Sequence, residues 1–267
     1  MINRELSMID AEEIRRFDEE GAVTINTPLS HSELCDASAA MERLLPFDQP
    51  PHYRVTGTNN FVEPALIDLV QHPFFEAVAR QVLRAEEVRF NQVALACTYP
   101  QTGPFTFDQH VDIQYSLANL EAVPRQMTCS YFIWLSDVNE RRAPLMYRPG
   151  SHRLIAAQRQ RDAALKDAVP TVAGVKLEDL PSLPYADPVP LKARAGQATV
   201  LTTSLVHGAS INVDTLPRRS MHLTFIAVGA ETQLPPNQAQ IKEDYHRQLR
   251  PLLRPERVHI IPSSRHG

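Results

Sequence analysis

The sequence changes periodicity once, near Glu87, and this change constrains the fold more than any other feature. Before it, apolar residues recur at helical spacing. Residues 10–20 read as a helix, with Asp10 as N-cap, Glu12 and Glu13 in the first turn and Gly21 placed to end it. Ala22–Ile25 reads as a strand. Ser30 and Glu33 have capping-box spacing and open a helix to about Leu45. From Pro64 to Leu83, Leu66, Leu69, Phe74, Val78 and Val82 continue the helical pattern. After Glu87 the segments Val88–Tyr99, Arg125–Asp137, Val189–Lys192, Gln197–Thr203 and Arg219–Val228 have strand length and are rich in β-branched and aromatic residues. Helices followed by strands predict an α+β chain, mainly β, with helices packed on a β-sandwich or barrel. No linker composition interrupts it, so one domain over 1–267 is expected. The connection 155–187, helical over about Ala157 to Ala168, is long enough to serve as a lid. The tail is expected to be helical over 238–254, with Val258–Ile261 as an edge strand.

Charge and cysteine content narrow the function classes. Lys and Arg number 27 against 31 Asp and Glu, without a basic block, which argues against nucleic acid and anionic membrane as partners. No apolar run is long enough for a transmembrane helix, and Arg4 and Glu5 sit where a secretory signal would be apolar. Cys35, Cys97 and Cys129 lack the spacing of a disulfide framework or a cysteine zinc site and fit a reducing compartment, so a cytoplasmic location is expected. Monomer and homodimer both fit this reading.

Histidine carries the chemistry. In His110-Val111-Asp112, an extended backbone puts both end residues on one side, where they can grip one ion. The tripeptide alone is a weak signal. His31-Ser32-Glu33 has the same chemistry, but a helix cap explains it better. The context of His110 is stronger: a strand and a Pro/Gly turn, Tyr99 to Pro104, precede it. His207 follows a second apolar strand, and Arg218-Arg219 come 11 and 12 residues later. Two histidines and a carboxylate form a facial triad that leaves three positions open on six-coordinate iron. An arginine in the same cavity can bind an anionic co-substrate bidentately.

With these residues in order, the chain resembles the phytanoyl-CoA dioxygenase-like family of Fe(II)/2-oxoglutarate-dependent oxygenases. The resemblance covers about residues 10–230. It rests on Phe17-Asp18-Glu19-Glu20-Gly21 before a strand, His110-x-Asp112, Pro149-Gly150-Ser151-His152, Ala195-Gly196 before the strand leading to His207-Gly208 and Asn212, and the arginine beyond. It implies a double-stranded β-helix, or jelly roll, with N-terminal and flanking helices. The core would span about 88–230 and the helical part about 10–85. His110, Asp112 and His207 would be the metal ligands and catalytic centre, with Fe(II), 2-oxoglutarate and O2 as cofactors. Arg218 would anchor 2-oxoglutarate, with Ser220 on the same strand face; Arg219, which would share a face with Met221, is the rival. Asn91 and Phe107 fall where related enzymes contact the co-substrate. Ala143 departs from the family's frequent glycine and puts the local loop shape in question. The implied reaction is hydroxylation of an unactivated C–H bond in a small-molecule metabolite, such as a natural-product intermediate, with succinate and CO2 formed. Asp112 stands where related halogenases lack a carboxylate. Desaturation, epoxidation or cyclisation would use the same cofactors. A catalytically silent jelly-roll ligand-binding protein and a cupin-like metalloenzyme without 2-oxoglutarate are the competing readings.

The remaining candidates read as structural. Pro149-Gly150-Ser151-His152 is expected to be a turn whose Ser and His bond backbone groups, and His222 a core or cavity-lining residue. Phe132 and Trp134 read as core, Asp108 as no ligand, and Arg141, Arg142 and Arg148 as a solvated rim. The substrate pocket is expected to draw on loops 46–62, 113–124 and 155–187.

Overall fold

A computed structural model describes residues 8–262. In chain order the elements are α1 (Ala11–Glu20), β1 (Ala22–Asn26), α2 (His31–Leu44), β2 (Val55–Thr58), α3 (Pro64–Val70), α4 (Pro73–Leu83), β3 (Val88–Thr98), β4 (His110–Ile113) and α5 (Leu117–Glu121). Then come β5 (Thr128–Trp134), β6 (Leu145–Tyr147), α6 (Ser151–Arg161), β7 (Val172–Lys176), β8 (Val189–Leu191), β9 (Gln197–Thr202), β10 (His207–Ala209), β11 (Arg218–Ala227) and α7 (Pro236–Leu249). Among the described residues, no helix is long and apolar enough to cross a membrane.

The strands form two antiparallel sheets, as the jelly roll requires. The larger has the order β1-β9-β5-β11-β3-β2 and the smaller β7-β4-β10-β6-β8. Period-two alternation decides what each face of the larger sheet does. On the outside, Met221, Leu223 and Phe225 of β11 join Tyr131, Ile133, Phe90 and Leu95 in the main core. Phe17, Met41, Phe75 and Val78 cover them from α1, α2 and α4. The Phe75 and Tyr131 rings meet at 5.4 Å, and the Tyr131 hydroxyl donates to the Phe75 carbonyl at 2.9 Å. Burial of each such ring contributes about 1.5–3 kcal/mol. On the inside, a smaller cluster of Phe132, Trp134, Leu145, Tyr147 and Leu201 fills part of the space between the sheets. The remainder is a cavity.

The local signals near the N-terminus hold. Asp10 and Ser30 cap their helices with reciprocal Glu13 and Glu33 bonds, and Gly21 ends α1 at φ 88°. The structure corrects four other expectations. The helix expected over Pro64–Leu83 is two helices: Pro73 has no N–H to continue α3, and α4 restarts with His72 as its cap. The helix expected at about Ala157–Ala168 is α6, which begins at Ser151, so Pro149-Gly150-Ser151-His152 opens a helix instead of forming a free turn. Gly150 has no side chain to cap with, so the usual N-terminal signal is missing. The segment after α6 contributes β7 to the smaller sheet's edge. Val258–Ile261 is no strand; a 3-10 helix spans Pro255–Ile260 and buries Ile260.

Candidate metal centre

Register builds the centre. His110 and Asp112 are two residues apart on β4 and share a side. His207 opens β10 and pairs directly with His110 across the ladder, with ring centroids 4.7 Å apart. Gly208 permits this approach: a Cβ there would stand 1.5 Å from the Asp108 carbonyl oxygen. Thr203 O accepts the Asp112 and Ile113 N–H groups at 3.1 and 3.2 Å, pinning the end of β4. One ligand atom from each of His110, Asp112 and His207 lies within 4.8 Å of the others, so the set could hold a metal ion. His110 Nε2 is 3.3 Å and His207 Nε2 3.8 Å from the Asp112 oxygens. His207 Nδ1 donates to the Leu205 carbonyl at 2.9 Å, leaving Nε2 free as a ligand atom.

Electrostatics fit that role. Burial by itself would raise the Asp112 pKa, but the His110 hydrogen bond and the nearby imidazoles hold it below the ordinary carboxylate value. His207 is pushed down by burial, which favours the neutral, ligating imidazole. His110 is pushed up by its hydrogen bond to Asp112.

Pro149-Gly150-Ser151-His152 holds this geometry in place. Ser151 Oγ accepts the Val206 N–H at 2.9 Å and Val206 O accepts the Arg148 N–H at 2.9 Å, fixing the residue before His207 from both sides. His152 Nε2 donates to the Asp18 carbonyl at 3.2 Å, and burial pushes its pKa down to about 4.

The triad opens into a cavity of about 1220 Å³ between the sheets. Arg218 lines it, is 3% exposed and donates to the Ala143 carbonyl at 3.0 Å. Its Nε has no partner, and among the described residues no carboxylate lies within salt-bridge distance. Burial pushes its pKa down to about 10. Arg219 takes the opposite face, with its guanidinium 4.3 Å from the Phe47 ring centroid. Ser220 shares the Arg218 face but is buried, its Oγ 3.1 Å from His222 Nε2. His222 lines the cavity against the Phe132 ring at 4.0 Å, and its pKa falls to about 3 through burial and then Arg218. Phe132 therefore serves both the inner core and the cavity wall.

The other two expected co-substrate contacts lie elsewhere. Asn91 is in the cavity but beside Thr224, six residues along β11 from Arg218, and it binds Lys242. That is roughly 20 Å of backbone along the strand at ~3.3 Å per residue. Phe107 bridges to Ser210 and packs on Phe105, and is not on the cavity surface. Asp108 is exposed near Arg54, and Arg142 pairs with Asp214 at 3.3 Å.

The lining differs from the expected loops. Segments 46–62, 113–124 and 155–187 supply only Asn59, Ile113, Val169 and Val172. Much of the wall comes from 230–246, including Thr232, Gln238, Lys242 and His246, which the sequence reading missed. Helical periodicity identified the tail but carried no sign that it covers the sheet.

Comparisons place this geometry among known proteins. The profile of the phytanoyl-CoA dioxygenase (PhyH) family matches residues 17–220. The ectoine dioxygenase of Nocardia farcinica is 25% identical over 245 residues, covering 82% of this chain and 78% of that protein. SnoK, a non-heme alpha-ketoglutarate-dependent carbocyclase from nogalamycin biosynthesis, superposes with a TM-score of 0.64 at 22% identity, covering 88% of this chain and 90% of its own. EctD from S. alaskensis with bound Fe superposes at 0.60 and 21% identity, covering 86% and 81%. The structural matches establish the jelly-roll fold.

Proposed function

The chain belongs to the phytanoyl-CoA dioxygenase family, and from that premise we propose that it is an Fe(II)- and 2-oxoglutarate-dependent hydroxylase of a small-molecule C–H bond. One observation carries this reading: three ligand atoms converge from adjacent strands while a buried guanidinium without a carboxylate partner faces the same cavity. The residues fit the group. His110, Asp112 and His207 would hold iron on one side, and the Leu205 carbonyl keeps the His207 tautomer correct for it. The unpartnered Nε of Arg218 suits a carboxylate, and a dianionic co-substrate would supply the missing counter-charge.

Bound iron with 2-oxoglutarate supplies the oxidising chemistry, consuming O2 and releasing succinate and CO2. The protein's own residues bind, orient and exclude water. Arg218 would fix the distal carboxylate, with Ser220 behind it on the same face. Phe132 and the neutral His222 form a wall that keeps the reacting C–H bond out of bulk solvent. Asp112 fills the carboxylate position of the triad, which supports hydroxylation over halide transfer.

Anaerobic protein with Fe(II) and 2-oxoglutarate is expected to show the visible charge-transfer band of a chelate. His110→Ala is expected to lose it; no band in the wild type, or its persistence in the variant, overturns the reading. A metabolite panel read by mass then separates gain of one oxygen from loss of two hydrogens.

A further inference from the structure

Lys242 stands at the end of the cavity remote from Arg218, and nothing in the proposed iron chemistry uses it. Lys242 and His246 are one turn apart on α7 and share a helix face. Both grip Asn91: the Lys242 ammonium donates to Asn91 Oδ1, and His246 Nε2 donates to the Asn91 carbonyl at 3.0 Å. Asn91 is itself re-aimed by a bulge. The β3–β11 register passes from Gln92 opposite Thr224 to Phe90 opposite Phe225, leaving Asn91 as the extra residue. The bulge brings Asn91 to the cavity side together with Gln92. The ammonium is therefore held in place before any ligand arrives.

Its charge has no ion-pair partner among the described residues. An ammonium has three donors, and one is used here. No carboxylate of the described residues lies within salt-bridge distance of Lys242; Glu243 is its exposed neighbour on the helix, and exposed Glu231 also lines the cavity. Burial acts against the charged form, so an anion from outside would be favoured there. Thr224 lines the wall on the His222 side of Asn91, Ile226 lies beyond it, and exposed Val169 and Ile241 also line the cavity. An acid whose body offers both apolar surface and hydrogen-bonding groups fits that lining, which also includes Thr128, Ser130 and Thr203.

We infer that the substrate is an organic acid whose carboxylate is seated on Lys242, with its body extending toward His110, Asp112 and His207. The inference rests on the proposed oxygenase reading. Arg218 and Lys242 then divide the cavity: the co-substrate diacid at one end and the substrate acid at the other.

Titration calorimetry of the full-length protein tests it with two acid/amide pairs, 4-phenylbutyrate against 4-phenylbutyramide and hexanoate against hexanamide. Each pair is measured with 2-oxoglutarate and Fe(II) saturating under anaerobic conditions, so that Arg218 is occupied, and again in metal-free protein. At least one acid is expected to bind about tenfold more tightly than its amide, the scale of a charge-assisted bond. Lys242→Met is expected to reduce that preference below twofold, and Lys242→Arg to retain most of it. Thermal melts verify that both variants are folded. Equal affinity in both pairs, a preference that survives Lys242→Met, or no acid binding up to the solubility limit overturns the inference. The charge-transfer band reports the oxygenase reading separately. A missing band with the acid preference intact in metal-free protein sinks that reading alone.

Discussion

The two faces of β11 occupy different environments, and the contrast between them explains much of the molecule. The outer face, Met221, Leu223 and Phe225, is fully buried against helices and strands and carries stability. The inner face, Arg218, Ser220, His222 and Thr224, is polar and meets the cavity or the groups just behind it. Alternation along ten residues therefore separates folding from chemistry on one backbone. The inner face also holds groups that a core optimised for stability would avoid: a guanidinium without an anion and an imidazole forced to stay neutral.

The largest expected effect tests the outer face. Phe225→Ala removes a ring that meets Tyr131 edge-on at 6.3 Å. It is expected to lower unfolding free energy by about 3–5 kcal/mol in denaturant titration, with 2-oxoglutarate affinity of the folded protein unchanged. A matching loss of affinity would break the division between faces. The inner face should behave in reverse. Arg218→Met is expected to weaken 2-oxoglutarate binding by about 2–5 kcal/mol, read by titration of the charge-transfer band, while the melting temperature stays level or rises.

Acid should sharpen the same contrast. His152 and His222 have folded pKa values of about 4 and about 3, both below the unfolded value. Their stabilisation is therefore full above about pH 6.5 and is lost as pH falls toward those folded values. Between pH 6.5 and 5 this amounts to about 1.5 kcal/mol per histidine, the unfolded imidazole being already half protonated at pH 6.5. His152→Asn is expected to flatten the decline in melting temperature over that window, and an unchanged slope would show that His152 does not titrate on unfolding. The smallest effect belongs to Arg219→Met, which gives up only a cation–π contact on Phe47. It is expected to change stability by less than about 1 kcal/mol and to leave 2-oxoglutarate affinity alone, against the large loss from its neighbour.

Much of the site was legible because its signals are local. Asp10 and Ser30 announced their helices through side chains that bond three residues ahead. His110 and Asp112 share a side by strand geometry alone, and the ordered motifs added His207 and an arginine. Strand alternation put Arg218 and Arg219 on opposite faces; the choice of Arg218 for the cavity rested on the family spacing and on Ser220 beside it. Which of the two points inward depends on which face the helices cover. Asn91 was placed by its position along the chain, which carried no sign that a bulge and α7 would give it Lys242 as a neighbour. The 155–187 segment looked like a lid because β7 is short and its pairing with β4 has no local signature.

The sequence by itself determined the helix caps, the strand alternation and the candidate ligands His110, Asp112 and His207 that the structure brings together. These follow from interactions within a few positions, which the chain dictates wherever it folds. Only the tertiary structure decided that His207 would face His110 across a ladder, that Gly208 would lie against Asp108, and that α7 would close the cavity with Lys242. Those contacts join residues about 100 to 150 positions apart. They are set by sheet register and by packing against a shared core, to which the whole chain contributes.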